Sequence, residues 1–212
     1  DMVPQKNSHI NHNFETDPIQ AYIDGEWVTA RDTTLGADNG IGIAAAMAVM
    51  ASKDIAHPAI EMFITVDEET GMHGAFGLQP GFLKGDILIN MDSEDEGELY
   101  VGCAGGLDAN ISFGYREVKV PEGDIAVKIS LTGLKGGHSG VDIHLQRANA
   151  NKLMFRFLKT AVAEYEARLA SIDGGSLRNA IPREAFAVLT IPAEGIEDLK
   201  DFLARNELWC VF

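Results

Sequence analysis

Ile60-Glu61-Met62-Phe63-Ile64-Thr65-Val66-Asp67-Glu68-Glu69-Thr70-Gly71 sets an apolar run directly against three adjacent carboxylates and a glycine. The run reads as a buried strand that ends in a sharp turn. Carboxylates at the end of a buried element are costly unless a cation or hydrogen bonds compensate. Two more segments carry acids in the same way, Leu35-Gly36-Ala37-Asp38-Asn39-Gly40 and Ile87-Leu88-Ile89-Asn90-Met91-Asp92-Ser93. Three apolar segments that deliver acids to loop ends are what an α/β protein needs to build a metal site at the carboxyl edge of its sheet.

Around these segments the pattern supports the same class. Residues 5–20 are polar and read as loop. Tyr22 to Val28 holds an Asp24-Gly25 pair between apolar flanks, a hairpin signal. Ile41 to Ala51 is rich in Ala and Met, apolar nearly all round, and reads as a buried helix. Residues 59–66 and 85–92 read as strands, with a short helix or loop over 74–83 between them. Continuous apolar strands alternating with helices predict an α/β fold with a mainly parallel sheet covered by helices on both faces.

Beyond Cys103-Ala104-Gly105-Gly106 the character changes. Residues 111–120 and 125–134 alternate apolar and polar, as half-exposed antiparallel strands do. Residues 148–171 read as one long amphipathic helix, 185–191 as a strand, and 195–208 as a second helix with acids in its first turns. This order predicts a separate α+β domain, so the domains are placed at 1–103 and 104–212. The chain opens on Asp1-Met2-Val3-Pro4 and closes on the apolar run Glu207 to Phe212. Both ends read as internal to a longer protein.

The totals narrow the function classes. The 212 residues are 46% hydrophobic, enough for a substantial core. The 32 acidic residues against 17 basic ones give a net charge of −15. That balance argues against nucleic acid or an anionic membrane as partner, since phosphate neutralisation needs clustered Lys and Arg. It suits a cation site, and equally a solvated acidic surface. Cys103 and Cys210 are too few for a disulfide framework, which points to a reducing, cytoplasmic setting. No apolar run approaches the roughly 20 residues of a membrane span.

Each candidate residue has a structural and a chemical reading. Asp38 is either a helix N-cap or a ligand. Glu68 and Glu69, as neighbours in extended chain, point to opposite sides; one can then bind a metal while the other faces water or substrate. Asp92 ends a strand at the sheet's carboxyl edge, whereas Glu94 to Glu96 read as solvated loop. His138, within Gly136-Gly137-His138-Ser139-Gly140, is either a turn histidine or a hydrogen-bond donor to a developing oxyanion. Arg178, Asn179 and Arg183 either solvate a loop or bind a carboxylate. His9, His12, His57, His73 and His144 lack ligand-like spacing. Cys103 reads as a small buried residue.

Six motifs, in this order, carry a resemblance that covers nearly the whole chain: Asp1 to Lys6, Gly36 to Gly42, Glu68 to Met72, Asn90 to Glu94, Gly136 to Gly140, and Arg178 to Pro182. Together they resemble the bacterial Xaa-His dipeptidases, also called aminoacyl-histidine dipeptidases or peptidase D. These are two-metal peptidases akin to carnosinases. The resemblance implies a catalytic α/β domain with an inserted lid that often mediates a homodimer. It implies that Asp38 bridges two divalent ions, usually zinc and otherwise manganese or cobalt, with Glu69 and Asp92 completing their shells. Glu68 would be the general base, and Asp1 would orient a metal-binding His two residues upstream. His138 would polarise the scissile carbonyl, in several relatives from the partner subunit. Asn179, and less directly Arg183, would hold a short peptide substrate such as carnosine. A cis peptide bond is implied between Asp38 and Asn39. Two metal-binding histidines of the family lie outside the sequence, so this 212-residue polypeptide alone is expected to be inactive. The alternatives are an aminoacylase or deacetylase of the same two-metal group, and a non-catalytic peptide-binding or dimerisation module.

Overall fold

The structure is a computed structural model that describes residues 3–93, 95–103 and 105–205. Asp1, Glu94, Ala104, Cys210 and the closing apolar run all lie outside the described residues. The chain divides into two compact units, Asp1–Phe113 and Gly114–Phe212, whereas the sequence pattern changes near residue 104. Its class is mixed α/β.

In the first unit, β1 (Ala21–Asp24) and β2 (Trp27–Ala30) form an antiparallel hairpin with Asp24 opposite Trp27. Only Gly25 and Glu26 lie in the loop, and Gly25 takes φ +61°. Positive φ at the first loop position is where glycine is free of a Cβ clash. The segment before the hairpin pairs with the one after it. Lys6 bridges Thr33, and the Thr34 hydroxyl donates to Val3 O at 2.7 Å. Helix α1 (Gly40–Ala51) follows, then two single turns, α2 (Glu68–Gly71) and α3 (His73–Phe76).

Three expectations for this unit are corrected. Residues 59–66 and 85–92 are not strands, and among the described residues no ladder is parallel. An apolar segment becomes a strand only when a neighbouring segment accepts from its N–H groups and donates to its C=O groups. No described segment does so here, and Ile87 is 84% exposed. Helix α1 is present but not buried: Gly42 is its one buried residue, and Ile41, Met47 and Met50 are exposed. Residues 111–120 are likewise neither strand nor covered.

The second unit is an antiparallel sheet with helices packed on its core face. β3 (Asp124–Leu131), β7 (Ala185–Pro192) and β5 (Arg168–Gly174) lie in the order β3-β7-β5. Between them in sequence come the short strands β4 (Gly137–His138) and β6 (Ala180–Ile181), which pair with each other. Val127 faces Leu189, Ile129 faces Ala187 and Leu131 faces Ala185, all buried on one side of the sheet. Alternation places these residues together because strand side chains have period two.

Helix α4 (Ala150–Glu164) buries Ala150, Met154, Phe157, Leu158 and Ala161, a stripe at helical spacing. Helix α5 (Ile196–Arg205) adds Leu199 and Leu203, and its Phe202 stacks on Phe157 with ring centroids 6.2 Å apart. Asn149 caps α4 by accepting from Lys152 N at 3.1 Å. The helix expected over 148–171 ends at Glu164; residues 165–167 turn the chain, and 168–171 belong to β5. Glu166 turns the chain at φ +54°, and the Ala167 N–H returns to Ala161 O at 3.1 Å. The stop is made by a non-glycine residue in the left-handed region, so no glycine or proline marks it in the sequence.

Candidate active site

The acids of the first unit sit on two anchored corners. The bond between Asp38 and Asn39 is cis. It is Asn39, not Asp38, that caps α1, since its Oδ1 accepts from Gly42 N at 2.9 Å. The other end of the same amide donates to Met91 O. Gly42 makes the approach tight: a Cβ there would lie 2.8 Å from the Met91 Cβ. The Asp38 corner is thereby tied to the segment carrying Asp92. Asp92 N in turn donates to Asn90 Oδ1 at 2.8 Å. Asp38 and Asp92 are both exposed.

The second corner holds Glu68 and Glu69. Asp67 takes φ +64°, and its carboxylate accepts from the Thr70 hydroxyl and is paired with His73 Nδ1. These hydrogen bonds, Thr70's first and His73's second, hold the Asp67 carboxyl below its usual range. Gly74 closes the corner by donating to Val66 O at 3.2 Å; a Cβ at 74 would lie 2.6 Å from Val66 N. Glu68 and Glu69 therefore open a helical turn and are not in extended chain. Adjacent helical residues diverge by about 100°, not 180°, so the opposite-sides argument fails. Glu68 is exposed and Glu69 half-buried.

The structure joins the Asp38 and Asp92 segments, but it does not gather all three acids into a ligand group. Among the described residues, no set of three His, Cys, Asp or Glu side chains could hold a metal ion. In kind, the donors suit a hard divalent cation, because carboxylate oxygens are its preferred ligands.

In the second unit, His138 and Asn179 come together through β4 and β6. His138 lies opposite Ala180, and Ser139 N donates to Asn179 O at 2.8 Å. The His138 ring is held from one side: Gly140 N and Val141 N both donate to Nδ1, at 3.0 and 3.1 Å. A nitrogen that accepts two N–H bonds carries no proton, so the neutral ring carries its proton on Nε2. The imidazole itself is exposed, and its Nε2–H is a donor of the kind a polarised carbonyl needs. Arg183 is half-buried, with its stem against Gly136 and its Nε donating to Leu134 O at 3.2 Å. Arg178 is exposed.

Several residues escaped the sequence reading. Asp142 and Arg147 form an ion pair at 2.9 Å behind the His138 loop. Loop spacing has no period that would flag them. His73, whose spacing gave no signal in the sequence, pairs with Asp67. Cys103 is exposed, not buried.

Residues 129–210 match the family model of the M20 peptidase dimerisation domain. More particularly, the chain is 55% identical over 214 residues to the cytosol non-specific dipeptidase of Escherichia coli (strain K12), an alignment covering 98% of this chain and 44% of that protein. Among solved structures it is similar to the crystal structure of aminoacylhistidine dipeptidase from Vibrio alginolyticus. That match has 53% identity and a TM-score of 0.52, and covers 97% of this chain and 42% of that one. The resemblance carried by the six motifs is borne out. The chain spans less than half the length of these relatives.

Proposed function

We propose that this chain supplies part of a metal-dependent dipeptidase, with residues 1–103 belonging to its catalytic domain and 104–212 to its lid. The observation that carries the reading is the 55% identity to a dipeptidase across 98% of the chain. Asp38, Glu69 and Asp92 would hold two divalent ions, zinc first and manganese or cobalt as substitutes. The ions, when bound, supply Lewis acidity and bring the pKa of a water towards about 7.

The chain's own groups do the rest. Glu68 takes the proton from the attacking water and returns it to the leaving amine. His138, from the same copy or a second one, donates Nε2–H to the scissile carbonyl oxygen as negative charge develops there. Asn179 holds the substrate backbone, and Asp1 orients a neighbouring ligand. Arg183 plays a lesser part, because its Nε already serves Leu134 O. The substrates are short peptides, Xaa-His dipeptides among them. The setting is the cytosol, in keeping with the name of the Escherichia coli relative.

Replacing Glu68 with Ala in the full-length protein that carries this sequence tests the reading. Hydrolysis should fall by about 10²–10⁴, the usual worth of a positioned base. Hydrolysis that does not change defeats it. The match to a dimerisation domain favours a second reading, in which this region joins two copies without taking part in chemistry. Wild-type protein that dimerises and binds dipeptides without cleaving them would favour that reading. Release of acetate in place of amino acids would favour an aminoacylase.

A further inference from the structure

Behind the His138 loop lies a polar pair that the proposed chemistry does not use. Asp142 Oδ2 accepts from His138 N at 2.9 Å and from Arg147 Nη1 at 2.9 Å. The same Nη1 donates to Gly136 O at 2.8 Å. The two side chains are only 24% and 20% exposed. Asp142 N closes the circuit by donating to His138 O at 3.2 Å. The backbone on both sides of Gly137 is thus fastened to one ion pair. Gly137 takes φ +147°, and a Cβ there would lie 2.3 Å from Arg147 Nη1 and 2.5 Å from Asp142 Oδ2. The position admits glycine because the pair occupies the space a side chain would need.

We propose that Asp142 and Arg147 are positioning residues for His138, an inference that rests on the reading of His138 as a carbonyl donor. The pair fixes the backbone turn from 136 to 142. That turn aims the Gly140 and Val141 N–H groups at Nδ1, and so sets the tautomer that leaves the proton on Nε2. A surface ion pair with no such task would be worth little. This one is half-buried, and a charge-assisted bond to a backbone N–H is among the stronger kinds.

The test uses the full-length protein, with ¹⁵N-labelled histidine and the His138 signals assigned by their loss in His138→Ala. Wild type should show Nδ1 unprotonated and Nε2 protonated. In Asp142→Ala the two tautomers should mix, with kcat for a dipeptide falling about tenfold or more and KM changing less than about twofold. In the His138→Ala background, Asp142→Ala should cost nothing further, because residues acting as one unit are not additive. Arg147→Lys keeps the charge but not the fork, and gives a milder version of the same shift if Asp142→Ala does not fold. An unchanged His138 tautomer in both variants overturns the inference, as do losses that multiply in the double variant. Wild type that hydrolyses no dipeptide would sink the functional reading alone, since the tautomer measurement still decides the positioning role.

Discussion

Leu189→Ala tests where the stability of the second unit resides. Leu189 is 0% exposed, lies on the central strand β7, and faces Val127 on β3 and Leu169 on β5. It belongs to the same cluster as Met154, Phe157 and Leu199 from the two helices. Truncation removes three buried carbons, a transfer loss of about 2.4 kcal/mol at roughly 0.8 kcal/mol each. The cavity left behind adds to that. A central strand held by ladders on both sides cannot collapse inward, so the total should reach about 3–4 kcal/mol, within the range for buried leucines. Against a typical domain stability of about 5–15 kcal/mol this is a large fraction. Leu169 is the control, because it lies opposite Leu189 but is 46% exposed; Leu169→Ala should cost about 1.3 kcal/mol by area, the same transfer loss scaled to its buried share and with little cavity left behind. Urea unfolding followed by far-UV circular dichroism gives both values. The midpoint should fall for Leu189→Ala with the slope unchanged. Equal costs at the two positions would refute the assignment of the core to the central strand β7 over the edge strand β5.

Asn39→Ala removes both the α1 cap and the tether to Met91 O, and should cost about 1–2 kcal/mol, near the upper end for a cap; faster amide exchange in the first turn of α1 measures it. Asp67 is held below its usual pKa by the Thr70 hydroxyl and then His73. A depressed acid stabilises the fold above its unfolded pKa of about 3.9 and loses that contribution as pH falls through the lower folded value. Thr70→Val should therefore raise the Asp67 midpoint, read by carboxyl NMR titration, and shrink the share of stability that Asp67 contributes at neutral pH. Chelation of divalent ions should abolish hydrolysis by the full-length protein, and zinc, manganese or cobalt should restore it; activity that persists through exhaustive chelation contradicts the metal reading.

What the sequence made legible was whatever a short stretch decides by itself. The Asp24-Gly25 hairpin, the amphipathic stripe of α4 and the alternation in β3 all carry their partners' requirements in their own period. The end of α4 did not show, because Glu166 turns the chain without the glycine or proline that usually advertises a stop. Residues 59–66 and 85–92 failed differently. Their composition is that of buried strands, but a ladder is a property of two segments, and no described segment pairs with either. Helix α1 shows the same mismatch between apolar composition and cover.

The same distinction separates the candidate residues of the two units. The His138 loop is built from bonds within residues 134–183, and its ring nitrogen, backbone amides and ion pair are mutually satisfied inside one unit. The donor role proposed for His138 asks for one tautomer, and local bonds fix it. The carboxylates are another case. Bringing Asp38, Glu69 and Asp92 together sets three like charges side by side, which is unfavourable until a cation or other donors oppose them. The Asn39 side chain holds the Asp38 corner to the Met91 segment through a single amide. A chain can encode the positions of such acids, but their convergence has a driving force only when something positive lies between them.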